Sequence, residues 1–298
     1  MRVVLLGRDG QVGKALAPAL ARLGEVIALG HAEADFERSE ELGRLVTALA
    51  PAVIVNAAAY TAVDRAESEP GRARLVNAVA PAQLAEAARQ TDAWLIHYST
   101  DYVFDGGKDT PYAEADRPVP LGAYGTTKLE GDLAIMRSGC RHLIFRIGWV
   151  YGAGATSFPA AMLRLARDRT TLRVVADQVG TPTAAEFVAE VTATAIARLA
   201  DTAGPPAAGL YHLAPMGAVS RADFARFVLA EARRVGLDLP LGPEGIADCA
   251  SADYPTPARR PLNCRLDTSR IRSAFGLDLR DWREDARRWV AETVEAVA

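Results

Sequence analysis

The chain has 298 residues, half of them hydrophobic, and a formal net charge of −3. That is enough apolar material for a large α/β domain, or a domain with an attached lobe, and it excludes a disordered chain. Without a positive excess there is no basic surface to neutralise the phosphates of a polymer, so nucleic acid is not an expected partner. Cys140, Cys249 and Cys264 lie far apart with no C-x-x-C spacing, which gives no metal framework and fits a reducing compartment. The apolar N-terminal run breaks at Gly7 without a cleavage site, and no stretch reaches the roughly 20 apolar residues of a membrane span. No membrane contact is expected, and the expected location is cytoplasmic.

In chain order, short runs rich in Val, Ile and Leu alternate with longer segments of helical period, the pattern of βα units feeding a parallel sheet. Strands are expected at 3–6, 25–29, 53–56, 94–98 and 143–147, with helices at 12–23, 40–50, 72–89 and 124–137. Pro18 and Pro81 fall inside two of these helices, where each removes a backbone hydrogen bond and predicts a kink or break. Beyond residue 150 the alternation becomes irregular. A helix at 157–167, a strand at 172–175, a turn at 180–182, a helix at 184–199 and a strand at 210–213 follow. Ser220 to Asp223 opens another helix in the manner of a capping box, and an amphipathic helix at 281–297 ends the chain. The expected fold class is α/β: a Rossmann-type doubly wound parallel sheet in 1–150, then a smaller α/β substrate-binding lobe in 151–298 with some segments returning to the first half.

Gly7-Arg8-Asp9-Gly10-Gln11-Val12-Gly13 follows the first strand and opens the first helix. In that setting small residues let the backbone approach a dinucleotide pyrophosphate at the positive helix end. The G-x-x-G-x-x-G spacing points to the short-chain dehydrogenase branch. After the second strand Leu29 is followed by Gly30 and His31, without the carboxylate that would hold a ribose 2′-hydroxyl. Arg8 would then meet a 2′-phosphate, which favours NADPH while still admitting NADH. Asn56-Ala57-Ala58-Ala59 ends the third strand with side chains small enough for a cofactor to lie against the backbone.

Tyr124 and Lys128 share one helix face at i and i+4, and Ser99-Thr100-Asp101 ends the preceding strand. An ammonium beside a phenol favours its ionised form and lowers a pKa ordinarily about 10, as a proton donor and acceptor at neutral pH requires. Thr100 would add a hydrogen bond to a substrate carbonyl. Lysine is itself a signal here: among 34 basic residues only Lys14, Lys108 and Lys128 are lysine, and a compact tunable charge is what arginine does not supply. His31, His97, His142 and His212 lack zinc-ligand spacing, and His97, His142 and His212 read as strand residues with satisfied hydrogen bonds. No G-x-S-x-G elbow supports serine hydrolase chemistry. Asp64, Glu67 and Glu69 read as a solvated acidic run.

Further runs match a known pattern: 53–64, 97–104, Trp149-Val150-Tyr151, Asp177-Gln178 with Gly180 and Pro182-Thr183, and 254–258 with Arg260-Pro261. With the glycine loop and the Tyr124 to Lys128 segment, they make the chain resemble the dTDP-4-dehydrorhamnose reductase family of extended short-chain dehydrogenases/reductases along nearly its whole length. The resemblance implies reduction of the C4 ketone of dTDP-4-dehydro-L-rhamnose by NADPH or NADH, a small-molecule nucleotide-sugar substrate, and Tyr124, Lys128 and Thr100 as the catalytic residues. It implies cofactor contacts from Gly7, Gly10, Gln11, Val12, Gly13, Asp35, Phe36, Ala59, Tyr60, Thr61, Tyr98, Tyr124 and Lys128, and sugar contacts from Thr100, Asp101 and Trp149. Three features depart from the pattern: Gly30 stands where some relatives carry Asp, the segment before Asp35 is short, and Cys264 follows Asn263 where Ser is expected.

The same resemblance admits a reductase of another dTDP-4-keto-6-deoxysugar. It also admits a regulatory subunit like that of methionine adenosyltransferase, against which the complete Thr100, Tyr124 and Lys128 set argues. Some relatives are Mg²⁺-linked dimers; Glu186 and Glu292 match two of their ligands, but the third position, on the first helix, is Ala15. No metal residue is assigned on this pattern, and a monomer or homodimer is expected.

Overall fold

The computed structural model describes residues 1–154, 157–199 and 207–295. Six strands form one parallel sheet: β1 (Arg2–Leu6), β2 (Glu25–Leu29), β3 (Val53–Asn56), β4 (Trp94–Thr100), β5 (Arg141–Ile147) and β6 (Gly209–His212). Their order is β6-β5-β4-β3-β1-β2. The inner strands are rich in Val, Ile and Leu because helices cover both faces. Val3, Leu5, Val55 and Ile96 pack on one side with Leu16 and Leu20 of the helix Gln11–Ala21 and with Val188 and Ile196 of the helix Ala185–Leu199. Val4, Leu6, Ile54 and Leu95 pack on the other with Leu42 and Val46 of Ser39–Leu49 and with Leu84 of Ala80–Thr91.

The chain leaves β1 for β2 on one side and then crosses back to β3 on the other. The carboxyl ends of β1 and β3 part at this switch point, where open α/β sheets form their ligand crevice. Pro18 lies inside the helix Gln11–Ala21, which continues through it without the expected break. Residues 70–91 are helical throughout, with a π turn at Leu75–Val79 just before Pro81, so the irregularity predicted from that proline appears as a widened turn.

The rest is built from short pieces. Leu172–Val175 pairs with Ile246–Cys249, Val179–Gly180 with Val219–Ser220, and Val150–Tyr151 with Thr183–Ala184. Ser220 caps the helix Arg221–Arg234 by accepting from the Asp223 N–H at 3.0 Å. β6 returns to the main sheet beside β5. The last helix is Trp282–Glu295; the expected residues 296–297 lie outside the described ones. Aromatic edges, Phe224 on Trp282 and Tyr151 on Trp289, tie it to this part of the chain. Among the described residues no helix is long and apolar enough to cross a membrane.

Candidate active site

A cleft of about 1040 Å³ opens at the switch point. Its wall brings together Gly7, Gly10, Gln11, Val12, Asp35, Phe36, Ala59, Tyr60, Thr61, Tyr98, Thr100, Asp101, Tyr124, Lys128 and Trp149. Gly13 is not on this wall; it lies beneath the turn, where a Cβ would come within 2.0 Å of the Gly7 carbonyl oxygen. Gly7 has φ +82°, and a Cβ there would lie 2.7 Å from the Ala58 nitrogen. Glycine thus lets β1 turn against the end of β3. The helix Gln11–Ala21 starts at Gly10 with no side-chain cap and no acidic residue in its first turn. Its positive end therefore faces the cleft with its first-turn N–H groups uncapped by any side chain, the setting that a dinucleotide pyrophosphate fits.

The helix Ala123–Arg137 begins at the cleft, and Glu67 accepts from the Ala123 N–H at 2.8 Å. Asp64 pairs with Arg260 at 2.7 Å and accepts from the Ala258 N–H, while Glu69 accepts from the Tyr60 hydroxyl at 2.8 Å. The run expected to be solvated stays partly exposed but is also a set of clasps, Asp64 and Glu67 onto segments far away in sequence and Glu69 onto Tyr60, nine residues back. Asn77, inside the π turn, accepts from the Tyr60 N–H and donates to the Tyr60 carbonyl and the Thr127 hydroxyl. One buried side chain thereby fixes the 59–61 loop to the helix Ala123–Arg137.

Tyr124 and Lys128 share the cleft wall, but the expected influence of the ammonium on the phenol is replaced by another arrangement. Lys128 Nζ donates to the Tyr98 carbonyl at 2.6 Å and lies 3.2 Å from His97 Nε2. A buried amine must find an acceptor, and β4 supplies one in the Tyr98 carbonyl. Burial lowers Lys128 to about 8, with Asp132 acting the other way. Burial pushes Tyr124 up to about 12, opposed by its hydrogen bond with Thr100. Thr100 also donates to Asp101 at 3.0 Å, and burial raises that carboxyl to about 6. The Tyr98 hydroxyl bonds to Thr192 at 2.8 Å, so Tyr98 serves Lys128 through its backbone.

Trp149 has φ +49°. Its ring lies against Gly180, where a Cβ would come within 2.6 Å, and the Arg221 guanidinium sits 3.6 Å from the ring centroid. A second cleft of about 1060 Å³ shares Val63, Tyr102 and Arg221 with the first and adds Arg173, Arg260 and Tyr254. Cations and an aromatic ring beside the catalytic corner suit a nucleotide diphosphate. Sequence reading missed Arg221, since nothing distinguishes one arginine in an arginine-rich chain.

At the other end of the first cleft, Arg8 donates to the Ala28 carbonyl at 2.9 Å and pairs with Glu33 at 2.7 Å. Glu33 also accepts from the Gly30 N–H at 3.0 Å. Arg8 is therefore engaged by a carboxylate four residues after Leu29, on a turn that folds back; the pair stands beside the cleft, whose wall here is Gly7, Asp9 and Gly30. His142 and His212 each bond a backbone carbonyl through Nδ1. Among the described residues no group of three or more His, Cys, Asp or Glu is placed to hold a metal ion.

The family described as RmlD substrate binding domain matches residues 1–295. The dTDP-4-dehydrorhamnose reductases of Shigella flexneri and Escherichia coli K12 are 46% and 45% identical to this chain, each covering all of both chains. Among solved structures, a dTDP-4-dehydrorhamnose reductase from Clostridium acetobutylicum superposes with a TM-score of 0.90 at 30% identity, covering 98% of this chain and 99% of that one. The Bacillus anthracis reductase in complex with NADP gives 0.89 at 27% identity, with the same coverage. The chain belongs to the dTDP-4-dehydrorhamnose reductase family.

Proposed function

We propose that this chain reduces the C4 ketone of dTDP-4-dehydro-L-rhamnose to dTDP-L-rhamnose with NADPH, and with NADH as an alternative. The observation that carries the reading is Tyr124 standing with Thr100 and Lys128 in the wall of a cleft whose far end is the glycine loop. Gly7, Gly10, Gln11 and Val12 would hold the pyrophosphate, Asp35, Phe36 and Ala59 to Thr61 the adenosine and nicotinamide sides, and Tyr98, Tyr124 and Lys128 the nicotinamide riboside. When bound, the nicotinamide supplies the hydride that reduces the ketone. A phenol raised to about 12 holds its proton at neutral pH, so Tyr124 is ready as the acid that protonates the forming alkoxide. Thr100 and Tyr124 stabilise the developing oxyanion, and Lys128 replaces the proton that Tyr124 gives up. Asp101 and Trp149 flank the sugar, and Arg221, Arg173 and Arg260 face the nucleotide diphosphate. In this reading 1–150 binds the dinucleotide, 151–298 mainly binds substrate, and the enzyme works in the cytoplasm as a monomer or homodimer.

The test is loss of NADPH absorbance on adding dTDP-4-dehydrorhamnose to the purified protein. Turnover of a different dTDP-4-keto-6-deoxysugar in place of this one would move the reading to another sugar of the same class.

A further inference from the structure

Beneath Lys128, Asn56 on β3 stands in register with His97 on β4. Asn56 Oδ1 accepts from the Ala58 N–H at 3.1 Å, which leaves its Nδ2 facing His97 Nδ1 at 3.0 Å. An amide N–H donates, so Nδ1 must accept and the ring proton must sit on Nε2. That Nε2 lies 3.2 Å from Lys128 Nζ and 4.0 Å from Asp132 Oδ1. Against an ammonium this places N–H opposite N–H. Against a neutral amine the same N–H meets a lone pair.

We infer that Asn56 locks His97 in its Nε2–H tautomer, and that this N–H, aimed at Lys128, makes His97 a positioning residue that biases Lys128 toward its neutral amine. The inference rests on Lys128 being the proton partner of Tyr124. The other groups around the pair are Asp132 one turn along the same helix, Arg146 on β5 at 3.6 Å from Asp132, Tyr124 at the helix start, and Asp101 just after β4. The Tyr98 carbonyl accepts from Lys128 in either protonation state, so it does not select between them. Asp132 favours the ammonium and burial opposes it; an N–H on Nε2, 3.2 Å from Nζ, adds to the side of burial. His97 itself stays neutral, because burial and then the Lys128 charge hold its pKa well below the ordinary histidine value. The consequence is a lysine that exchanges protons near neutral pH. Tyr124 loses a proton to the alkoxide, the Lys128 ammonium returns one and becomes the amine, and solvent restores the ammonium.

The experiment is ¹⁵N NMR of histidine-labelled protein without cofactor, with the His97 signals assigned by their loss in His97→Asn. The expected spectrum shows the Nε2–H tautomer, unprotonated over the range in which the protein stays folded. Asn56→Asp should reverse the tautomer, because a carboxylate accepts from Nδ1–H and frees Nε2 to accept from the ammonium. The pH profile of kcat/KM should then lose activity at higher pH, its alkaline limb moving up by about one unit in both Asn56→Asp and His97→Asn. A merely structural His97 would lower kcat and leave that limb where it was. An Nδ1–H or protonated ring in the unsubstituted protein, or an unmoved limb in a folded variant, overturns the inference. The spectra decide the tautomer even if the ketosugar is not turned over, so failure of the functional reading and failure of this one are distinct. If His97→Asn does not fold, the histidine whose ring signals change in Asn56→Asp is assigned as His97, because Asn56 Nδ2 lies 3.0 Å from His97 Nδ1, and the unsubstituted and Asn56→Asp spectra then decide it.

Discussion

At both ends of the first cleft a basic side chain meets a carboxylate, yet the two meetings have different physics. In the catalytic corner Lys128, His97, Asp132 and Arg146 are each at most 2% exposed, and every misplaced charge keeps most of its desolvation cost. At the glycine-loop end the Arg8 and Glu33 side chains are 42% and 41% exposed, and water screens what they do. On the proposed function, the dry corner would set rates through proton positions that are hard to move, and the wet end would grade the choice between cofactors with small effects.

The largest test of that contrast is Tyr124→Phe, which should keep fold and NADPH binding but lower kcat by about 100-fold or more, the usual worth of a positioned acid. Lys128→Arg should also be poor in the same NADPH assay. Its planar fork cannot repeat a point contact to the Tyr98 carbonyl and His97 in a space fully enclosed around the amine. Near-normal rates for either would remove the corner from the chemistry. Next comes Asp132→Asn, which keeps the side-chain shape beside Ser99 but leaves the Arg146 guanidinium without its buried counter-charge. Chemical denaturation should show a loss of about 3 kcal/mol. A loss under about 1 kcal/mol would mean that Asp132 carries its own proton in the folded protein, as the upward push of burial on its carboxyl favours.

Legibility in the sequence divides along similar lines. β1 to β5 could be read because each holds a run of Val, Ile or Leu, although the polar ends of β4 and β5 lie outside the expected ranges, and the glycine loop because it joins a strand to a helix. Lysine scarcity picked out Lys128 and Lys14 on the cleft wall, but it also marked Lys108, which pairs with Asp116 at 2.6 Å. What stayed hidden depends on register and return paths. Nothing local says that Asn56 and His97 face each other, since that follows from β3 pairing with β4. Asp64 meets Arg260 at a separation of 196 residues, and periodicity carries no trace of such a contact. Two-residue strands such as Val179–Gly180 are too short to show any period. Arg8 was legible as a charge near the cofactor, but its capture by Glu33 depended on a turn that composition does not announce.

That capture gives the smaller prediction. Glu33→Gln should release Arg8 toward a 2′-phosphate and tighten NADPH by about threefold, as exposed ion pairs allow, with NADH unchanged. Arg8→Ala should weaken NADPH alone by a similar factor. Titration of each cofactor by fluorescence checks both, and equal shifts for NADPH and NADH would show that the pair does not sense the phosphate.

The smallest expected effect is none at all, on adding EDTA. Glu186 is half-buried, and its carboxyl is raised by burial first and then by Glu292 and Asp285. A neighbouring carboxylate that raises the protonation of Glu186 is what a cation would relieve, so the position is a fair start toward a hard-metal site. The donor set nevertheless does not fit. Ala15, on the helix Gln11–Ala21 that packs beside Ala185–Leu199, ends in a methyl group where the third ligand would be needed. Arg288 already acts on Glu186, offsetting part of the negative charge that would draw the ion in. Mg²⁺ gives up its water reluctantly and repays that only against several well-placed oxygens, which two carboxylates and an arginine do not offer. Sedimentation velocity and NADPH turnover, each with and without EDTA, should therefore superimpose. Ala15→Glu supplies the missing carboxylate and makes the complementary test: if it renders the sedimentation coefficient responsive to Mg²⁺ while the unsubstituted chain stays indifferent, the missing carboxylate is the reason. A dimer of the unsubstituted chain that falls apart in EDTA and re-forms with Mg²⁺ would show that another oxygen stands in for it.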